Sequence, residues 1–301
     1  MSFDSPGLWQ QGRSFHHSRY DEETLAAREC TISLCLPALE CAETVGAIVE
    51  TLVGLRERGA IDQLVVIDGD SRDGTAKIAA AAGADVFSES ELMSDYGQVA
   101  GKGDAMWRAL SVLHGDLICF LDADSHDFKA HYAIGVLGPL LEFEEIDFVK
   151  AFYRRPFTQG GVDVVDGGGR VNHLMARPAL AILYPALAGI RQPLAGEIAA
   201  RRSLLERLPF TTGYGVEIAM LLDVYDEVGL EGMAQVDLDV HRNSHQALLD
   251  LSPMAYAVLK VLALRLEREG RLSDLDAAPL WIGDREFEVP IAERPPMVSA
   301  R

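Results

Sequence analysis

Between residues 31 and 124 the chain alternates short apolar runs with stretches of helical spacing, and this alternation narrows the fold more than any other feature. Thr31-Ile-Ser-Leu-Cys-Leu-Pro37 is a β-type run ended by a proline. Within Glu43 to Arg58, positions Val45, Ile48, Val49, Leu52 and Leu55 recur at helical spacing until Gly59 stops the pattern. Leu64-Val-Val-Ile67 is a second strand, and the polar turn from Asp68 to Gly74 leads into an Ala-rich helix from Thr75 to about Ala82. Asp85-Val-Phe87 reads as a short third strand. A helix then starts at Gly101-Lys-Gly103 and runs to about Leu113, and Leu117 to Leu121 is a fourth strand ending in Asp122-Ala-Asp124. Strands that are apolar on both faces need cover on both. The pattern therefore predicts an α/β fold with a mostly parallel sheet flanked by helices. Ligands of such sheets bind beyond the carboxyl ends of the strands. Here those ends are Pro37–Glu40, Asp68–Asp73 and Asp122–Asp124, all polar or turn-forming.

A second region, 147–245, holds a strand (Phe148 to Phe152), Arg154-Arg155-Pro156 and the glycine-rich Gly167-Gly-Gly-Arg170. It continues through two helical stretches to Gly213-Tyr-Gly215, a helix from Val216 to Val228, an extended run from Ala234 to Val240, and His241-Arg-Asn243. Residues 251–269 read as an amphipathic helix, followed by a tail that wraps or frays. The domain reading is an N-terminal arm (1–30), a first half (31–135), a second half (136–250), and a C-terminal helix and tail (251–301).

Charge and cysteine usage remove several classes of function. Lys and Arg number 27 against 46 Asp and Glu, a formal charge of −19, which argues against nucleic acid as the principal partner. Small phosphorylated ligands stay open, because a few placed cations hold them against an acidic average. Cys30, Cys35, Cys41 and Cys119 form neither a C-x-x-C pair nor a metal spacing, and Cys119 reads as core. No apolar stretch reaches the ~20 residues that span a bilayer. The sequence reads as a reduced, soluble, cytoplasmic protein without a membrane partner.

Chemistry concentrates in a few segments, each with a plain structural alternative. Asp122-Ala-Asp124 is either a solvated turn that caps the next helix or a carboxylate pair for Mg²⁺ or Mn²⁺. A cation there suits a nucleotide-sugar transferase, whose leaving diphosphate needs neutralising. Gly101-Lys102-Gly103 opens a helix, where free N–H groups and a lysine favour a phosphate; otherwise it is a glycine loop with a surface lysine. It is not a phosphate-binding G-x-x-x-x-G-K-[ST] loop, and no G-x-G-x-x-G follows the first strand, against a nicotinamide or flavin dehydrogenase. Asp68 either approaches a base or ribose or belongs to a turn in which Ser71 or Asp73 caps the helix. Gly167-Gly-Gly-Arg170 offers close backbone approach and a guanidinium, or is a surface loop. His241 is a third metal ligand or a structural histidine. Glu217, beside Tyr214, orients a sugar hydroxyl or complements the helix dipole.

In order along the chain stand Pro37-Ala-Leu-Glu40, Asp68-Gly-Asp-Ser-Arg-Asp-Gly-Thr75, Gly101-Lys-Gly103, Asp122-Ala-Asp124, Phe152-Tyr-Arg-Arg-Pro156, Gly167-Gly-Gly-Arg170, Pro193-Leu-Ala-Gly-Glu197, Gly213-Tyr-Gly-Val-Glu217 and His241-Arg-Asn243. Over residues 30–250 this set resembles the actinobacterial glucosyl-3-phosphoglycerate synthases and their mannosyl-3-phosphoglycerate synthase relatives. The resemblance implies a GT-A (Rossmann-like) fold with an acceptor-binding C-terminal region. It implies retaining transfer of glucose or mannose from a nucleoside diphosphate sugar, UDP-glucose or GDP-mannose among them, to the 2-hydroxyl of 3-phosphoglycerate. It also implies a Mg²⁺ or Mn²⁺ cofactor and a homodimer. Position by position, Pro37, Ala38, Leu39, Glu40, Asp68, Gly69, Lys102, Asp122 and Ala123 would hold the donor, with Tyr214 and Glu217 lining the sugar pocket. Asp124 and His241 would bind the metal with Asp122 beside them. Gly169, Arg170, Asn172 and Asn243 would hold the acceptor, and Asp124, Lys102 and Glu217 would carry the catalysis. Asn172 and Ala123 stand where family members often carry Thr and Ser. The competing readings are another soluble GT-A transferase with a different acceptor, a sugar-phosphate nucleotidyltransferase, and a non-catalytic nucleotide-sugar sensor. A nucleotidyltransferase would carry a glycine-rich G-x-G-T-R turn where Pro37-Ala-Leu-Glu40 stands.

Overall fold

The computed structural model describes residues 5–159, 162–164, 168–242, 247–273, 280–282, 285–287 and 290–300. Eight strands make one sheet: β1 (Ser14–His16), β2 (Ile32–Ala38), β3 (Gln63–Asp68), β4 (Asp85–Ser88), β5 (Leu117–Phe120), β6 (Phe148–Arg154), β7 (Ile198–Arg201) and β8 (Met233–Val240). Their order across the sheet is β1-β8-β6-β7-β5-β2-β3-β4. All neighbours run parallel except β7, which is antiparallel to both β5 and β6. That strand joins the carboxyl ends of β5 and β6 into one edge, and it was not legible in Ile198-Ala-Ala-Arg201, a run of small residues with little β-propensity.

Helices α1 (Val45–Glu57), α2 (Thr75–Ala82), α3 (Lys102–Ala109), α4 (His131–Glu142), α5 (Val216–Val228) and α6 (Ser252–Arg268) cover both faces. Alternate strand residues divide between the two apolar layers, as a pleated strand demands. Val65 and Ile67 pack with Met106, Trp107, Ile218 and Leu221, whereas Leu64 and Val66 face Ile48, Leu52, Val136 and Leu137. The five apolar positions recognised in α1 are all buried. Cys35 and Cys119 are buried, and all four cysteines are free thiols.

Two expectations needed adjustment. Helix α3 closes at Ala109 rather than near Leu113, because Val112 and Leu113 both donate to the Ala109 carbonyl and tighten the chain into turns. The N-cap of α2 is Gly74, without a side-chain bond; Asp73 instead receives the Thr75 N–H at 2.9 Å and the Ala42 N–H at 2.9 Å. In the N-terminal segment β1 lies on the sheet edge beside β8, and Trp9 is fully buried.

The tail wraps. Glu293–Arg294 pairs antiparallel with Phe210–Thr211, Met297 is fully buried, and the Trp107 indole donates to the Pro295 carbonyl at 2.8 Å. Arg294 grips the buried Asp104 carboxylate through two bonds of 2.8 Å, and Asp104 also receives the Ala100 N–H at 2.9 Å. The tail thereby fixes the first turn of α3, which carries Lys102. Among the described residues no helix is long and apolar enough to cross a membrane.

Candidate active site

Beyond the carboxyl ends of β2 and β3, two turns interlock. The Gly69 N–H donates to the Ala38 carbonyl at 2.8 Å, the Glu40 N–H to Ser71 Oγ at 2.9 Å, and the Arg72 N–H to Glu40 Oε1 at 2.8 Å. Glu40 holds a left-handed backbone (φ 53°), and the Leu39 side chain projects into solvent above the turn. Asp68 is buried: its Oδ2 accepts the Ser71 N–H at 3.0 Å, while its Oδ1 has no hydrogen-bond partner. Glu89, whose N–H donates to the Asp68 carbonyl at 2.9 Å, is buried behind it. Burial, and then the neighbouring Asp104, pushes its carboxyl up to about 7.

At the end of β5, Thr44 Oγ1 donates to the Ala123 carbonyl at 2.6 Å and ties the D-x-D loop to the start of α1. Lys102 sits between two carboxylates, 2.6 Å from Asp122 Oδ1 and 3.0 Å from Glu217 Oε1. Burial alone would lower the ammonium's pKa, but Asp122 and Glu217 outweigh it and hold Lys102 protonated well above its ordinary range. Gly196 is packed against this pair, and a side chain there would run into both Asp122 and Lys102. Glu217 lies in the first turn of α5, after the Gly213–Gly215 turn that leaves Tyr214 exposed; the Gly213 N–H donates to the Ala100 carbonyl at 2.8 Å. The structure thus brings Lys102, Asp122 and Glu217 together from three distant segments.

His241 follows β8 and is buried. Its ring is stacked between Tyr153 (centroids 4.5 Å apart) and Tyr132 (5.2 Å). Its Nε2 is 3.2 Å from Ser125 Oγ and 3.1 Å from Glu197 Oε1, and the Tyr153 hydroxyl donates to Glu197 Oε2 at 2.8 Å. Burial would raise the Glu197 carboxyl, but His241, Arg155 and Tyr153 together hold it well below the usual carboxylate range. Among the described residues, the buried His241 Nδ1 has no hydrogen-bond partner. An imidazole whose Nε2 is occupied by a carboxylate and a hydroxyl, with Nδ1 unspent, has the arrangement of a metal-ligating histidine. Together with Asp124 and Asp122 it would offer two carboxylates and an imidazole, donor types that suit Mg²⁺ or Mn²⁺. Asp122, Asp124 and His241 are not drawn into one tight cluster. Among the described residues, only His16, His17 and Asp239 bring three such ligand atoms within 4.8 Å of one another. Asp122 is instead paired with Lys102.

A cavity of about 360 Å³ adjoins the site, lined by Phe152, Tyr153, Arg154, Arg155, Gly168, His173, Arg177, Arg191 and Gln192, with Gln10 and Asp237. Tyr153 belongs to both places, one ring face on His241 and its hydroxyl 3.0 Å from Arg155 Nη2. Four arginines around one hollow are a marked local reversal of the chain's net −19. Gly169 (φ 66°) and Arg170 lie at the start of the following helical segment, one and two residues beyond Gly168. Asn172 is buried, and its amide is engaged with the backbone, Nδ2 with Arg191 O at 3.3 Å and Oδ1 with Leu194 N at 3.5 Å. Asn243 and Gly167 lie outside the described residues.

Sequence reasoning did not single out Tyr153, Glu197, Ser125, Arg177 or Arg191. Tyr153 and Glu197 stood inside the quoted motifs Phe152–Pro156 and Pro193–Glu197, and membership of those motifs was the one signal that could have found them. Ser125, Arg177 and Arg191 carry none, because only the sheet order and the packing of residues 168–192 place them here.

A mostly parallel sheet with a D-x-D loop, a histidine at the end of β8 and a lysine between two carboxylates defines a GT-A-type glycosyltransferase. Residues 33–165 match the family described as glycosyl transferase family 2. The glucosyl-3-phosphoglycerate synthase of Petrotoga mobilis is 40% identical over 304 residues, covering 95% of this chain and 94% of that protein. Its counterpart from Mycolicibacterium smegmatis is 40% identical over 97% of this chain and 98% of its own length. The crystal structure of mannosyl-3-phosphoglycerate synthase from Rubrobacter xylanophilus superposes with a TM-score of 0.91 at 45% identity, covering 100% of both chains. Glucosyl-3-phosphoglycerate synthase from Mycobacterium tuberculosis, solved with Mn²⁺, UDP-glucose and phosphoglyceric acid, gives 0.81 at 38% identity, covering 93% of this chain and 94% of that one. The chain belongs to the glucosyl-3-phosphoglycerate and mannosyl-3-phosphoglycerate synthase family.

Proposed function

We propose that the protein transfers glucose or mannose, with retention, from a nucleoside diphosphate sugar to the 2-hydroxyl of 3-phosphoglycerate, in the cytoplasm and as a homodimer. One observation carries the acceptor: the four-arginine cavity that shares Tyr153 with the His241–Glu197 pair. 3-Phosphoglycerate brings a phosphate and a carboxylate, the two groups that guanidinium forks bind in bidentate fashion. Its hydroxyl lies between them, so gripping both ends at the cavity presents that hydroxyl to the neighbouring sugar.

The interlocked turns Pro37–Glu40 and Asp68–Gly69 hold the nucleotide, with Lys102, Asp122 and Ala123 completing the donor wall and Tyr214 and Glu217 facing the sugar. Lys102 remains charged at neutral pH and is placed to offset charge on the departing diphosphate. Asp124 and His241 Nδ1 would hold the cation with Asp122 alongside; when bound, Mg²⁺ or Mn²⁺ supplies further neutralisation of that diphosphate. Glu217 is bound to Lys102 rather than standing as a lone nucleophile, which favours attack by the acceptor hydroxyl on the face the diphosphate leaves. Gly169, Arg170 and Asn243 complete the acceptor's surroundings, and Asn172 braces them from beneath. A homodimer is supported by the exposed Leu174 and Ile182, Leu248 and Leu249, and Leu259, the segments of Leu174 and of Leu249 each packing against the helix that carries Leu259.

The test is a donor-by-acceptor matrix of UDP-glucose, GDP-glucose and GDP-mannose against 3-phosphoglycerate and other phosphorylated hydroxy acids, with Mg²⁺ or EDTA. The expected result is metal-dependent release of nucleoside diphosphate with 3-phosphoglycerate alone. Silence with 3-phosphoglycerate and turnover with another acceptor would overturn the acceptor assignment.

A further inference from the structure

We infer that Asp239, clasped by His16 and His17 of the N-terminal segment, is a positioning residue that sets where His241 stands. The inference rests on the reading of His241 as a metal ligand. Strand β8 pairs in register with β6 from Met233 opposite Phe148 to Asp237 opposite Phe152. The register then shifts, and Val240 lies opposite Arg154, so β8 carries one residue more than β6 over this stretch. Such a bulge re-aims every later side chain, because one inserted residue exchanges the two faces of a strand. Asp239 takes up the distortion with a left-handed backbone (φ 67°), which an aspartate tolerates far better than a β-branched residue.

Every part of the bulge is tied down. The Asp239 N–H donates to Asp237 Oδ1 at 2.9 Å. Its carboxylate lies 2.8 Å from His17 Nε2 and 3.3 Å from His16 Nε2. The carbonyls on either side are held by the start of α4, Leu238 O by His131 Nε2 at 3.2 Å and Val240 O by the Tyr132 hydroxyl at 2.6 Å. His17 also stacks on His131 at 4.0 Å, which joins the two clamps. His241 is the next residue after Val240, and Tyr132 itself packs on its ring. The three-residue cluster is itself a hydrogen-bonded clasp and not a cation site: His16 Nδ1 accepts the Ser18 N–H at 3.2 Å, which leaves the ring proton on Nε2, facing Asp239.

The experiment measures Mn²⁺ affinity of the full chain in the presence of UDP, by electron paramagnetic resonance. Melting temperatures, kcat and donor KM are recorded alongside. His241→Ala reports on the ligand assignment itself. Asp239→Val, which cannot relax at positive φ, is expected to weaken Mn²⁺ binding about tenfold. His17→Ala weakens it about threefold, and His17→Gln, whose amide can still donate to Asp239, restores it. Asp239→Asn, tolerant of the same backbone, stays near the parent. Should His241→Ala lose Mn²⁺ while Asp239→Val and His17→Ala bind like the parent, the inference fails and the metal reading stands. If His241→Ala itself binds Mn²⁺ normally, the ligand assignment falls and the inference with it. Where Asp239→Val does not fold, the Ala and Gln pair at His17 decides the question.

Discussion

Gly196→Ala adds one methyl group at the point where the site has least room. The new Cβ would stand 2.5 Å from Asp122 Oδ2 and 2.6 Å from Lys102 Nζ. Ordinary contact begins at 3.4 Å, so Oδ2 and Nζ must retreat by 0.9 Å and 0.8 Å, and Asp122 Oδ1, nearest of all to the new methyl and the atom 2.6 Å from Lys102, by more. They cannot retreat together, since Lys102 is also held 3.0 Å from Glu217. A displacement of about 1 Å in a charged catalytic pair costs on the order of 30- to 100-fold in kcat/KM, or about 2 to 3 kcal/mol of transition-state stabilisation. Stability should fall only modestly: the methyl overpacks the site at a cost of about 1–3 kcal/mol, partly offset because Gly196 does not sit at positive φ and alanine restricts the unfolded chain. The assay pairs steady-state kinetics on the donor and 3-phosphoglycerate with thermal melting. Gly7→Ala, where nothing lies within 4 Å of the new methyl, serves as a control that keeps full activity. A folded Gly196→Ala enzyme with the parent's kcat/KM would refute the claim that the Lys102–Asp122 contact is part of the working site.

Four further outcomes follow from the geometry. Glu197→Gln removes the carboxylate beside His241 Nε2, and Mn²⁺ affinity measured by titration calorimetry should fall about 10- to 100-fold. Arg177→Ala or Arg191→Ala should raise KM for 3-phosphoglycerate about tenfold and leave donor KM unchanged; an equal rise in both would mean that the cavity is not the acceptor's. Arg294→Met strips a two-bond partner from the fully buried Asp104 and should cost about 3 kcal/mol, read by denaturant titration, with Asp104→Asn recovering part in the double variant. The Glu89 carboxyl titrates near 7 when folded and near 4.5 when unfolded, so the folded state binds more protons between those values. Its contribution to stability is therefore lost as pH rises from about 4.5 to about 7. Glu89→Gln should accordingly raise the melting temperature relative to the parent at pH 8 and not at pH 4, and a pH-independent difference would remove Glu89 from the account.

Much of this was legible from residues alone, and the boundary has a physical reason. The apolar runs ending at Pro37, Asp68 and Leu121 had to be buried parallel strands, and their carboxyl ends were therefore the place to look for a ligand. Local pattern also located α1, α2 and α5 almost to the residue. What pattern could not supply was pairing across long separations. The antiparallel insertion of Ile198–Arg201 between β5 and β6 brings Gly196 against Asp122 and Glu197 against His241. A register event did the same for His241, whose orientation depends on one extra residue in β8 that no composition or periodicity reveals.

The same distinction explains how so acidic a chain can serve a reaction between anions. A uniform field of that sign would repel both substrates, but at close range a few paired charges outweigh a screened average. Lys102, on the proposed donor side, is held by two carboxylates that keep it protonated, and the arginines collect around the cavity proposed for the acceptor, which Tyr153 also lines. Between them, Glu197 Oε1 stands 3.1 Å from His241 Nε2, and among the described residues His241 Nδ1 has no hydrogen-bond partner. Arginines therefore stand around the cavity proposed for the acceptor, while Asp122 and Glu217 hold Lys102 and Glu197 holds His241. Replacing surface acids elsewhere should leave the chemistry intact, and replacing any one of Asp122, Glu197 or Glu217 should not.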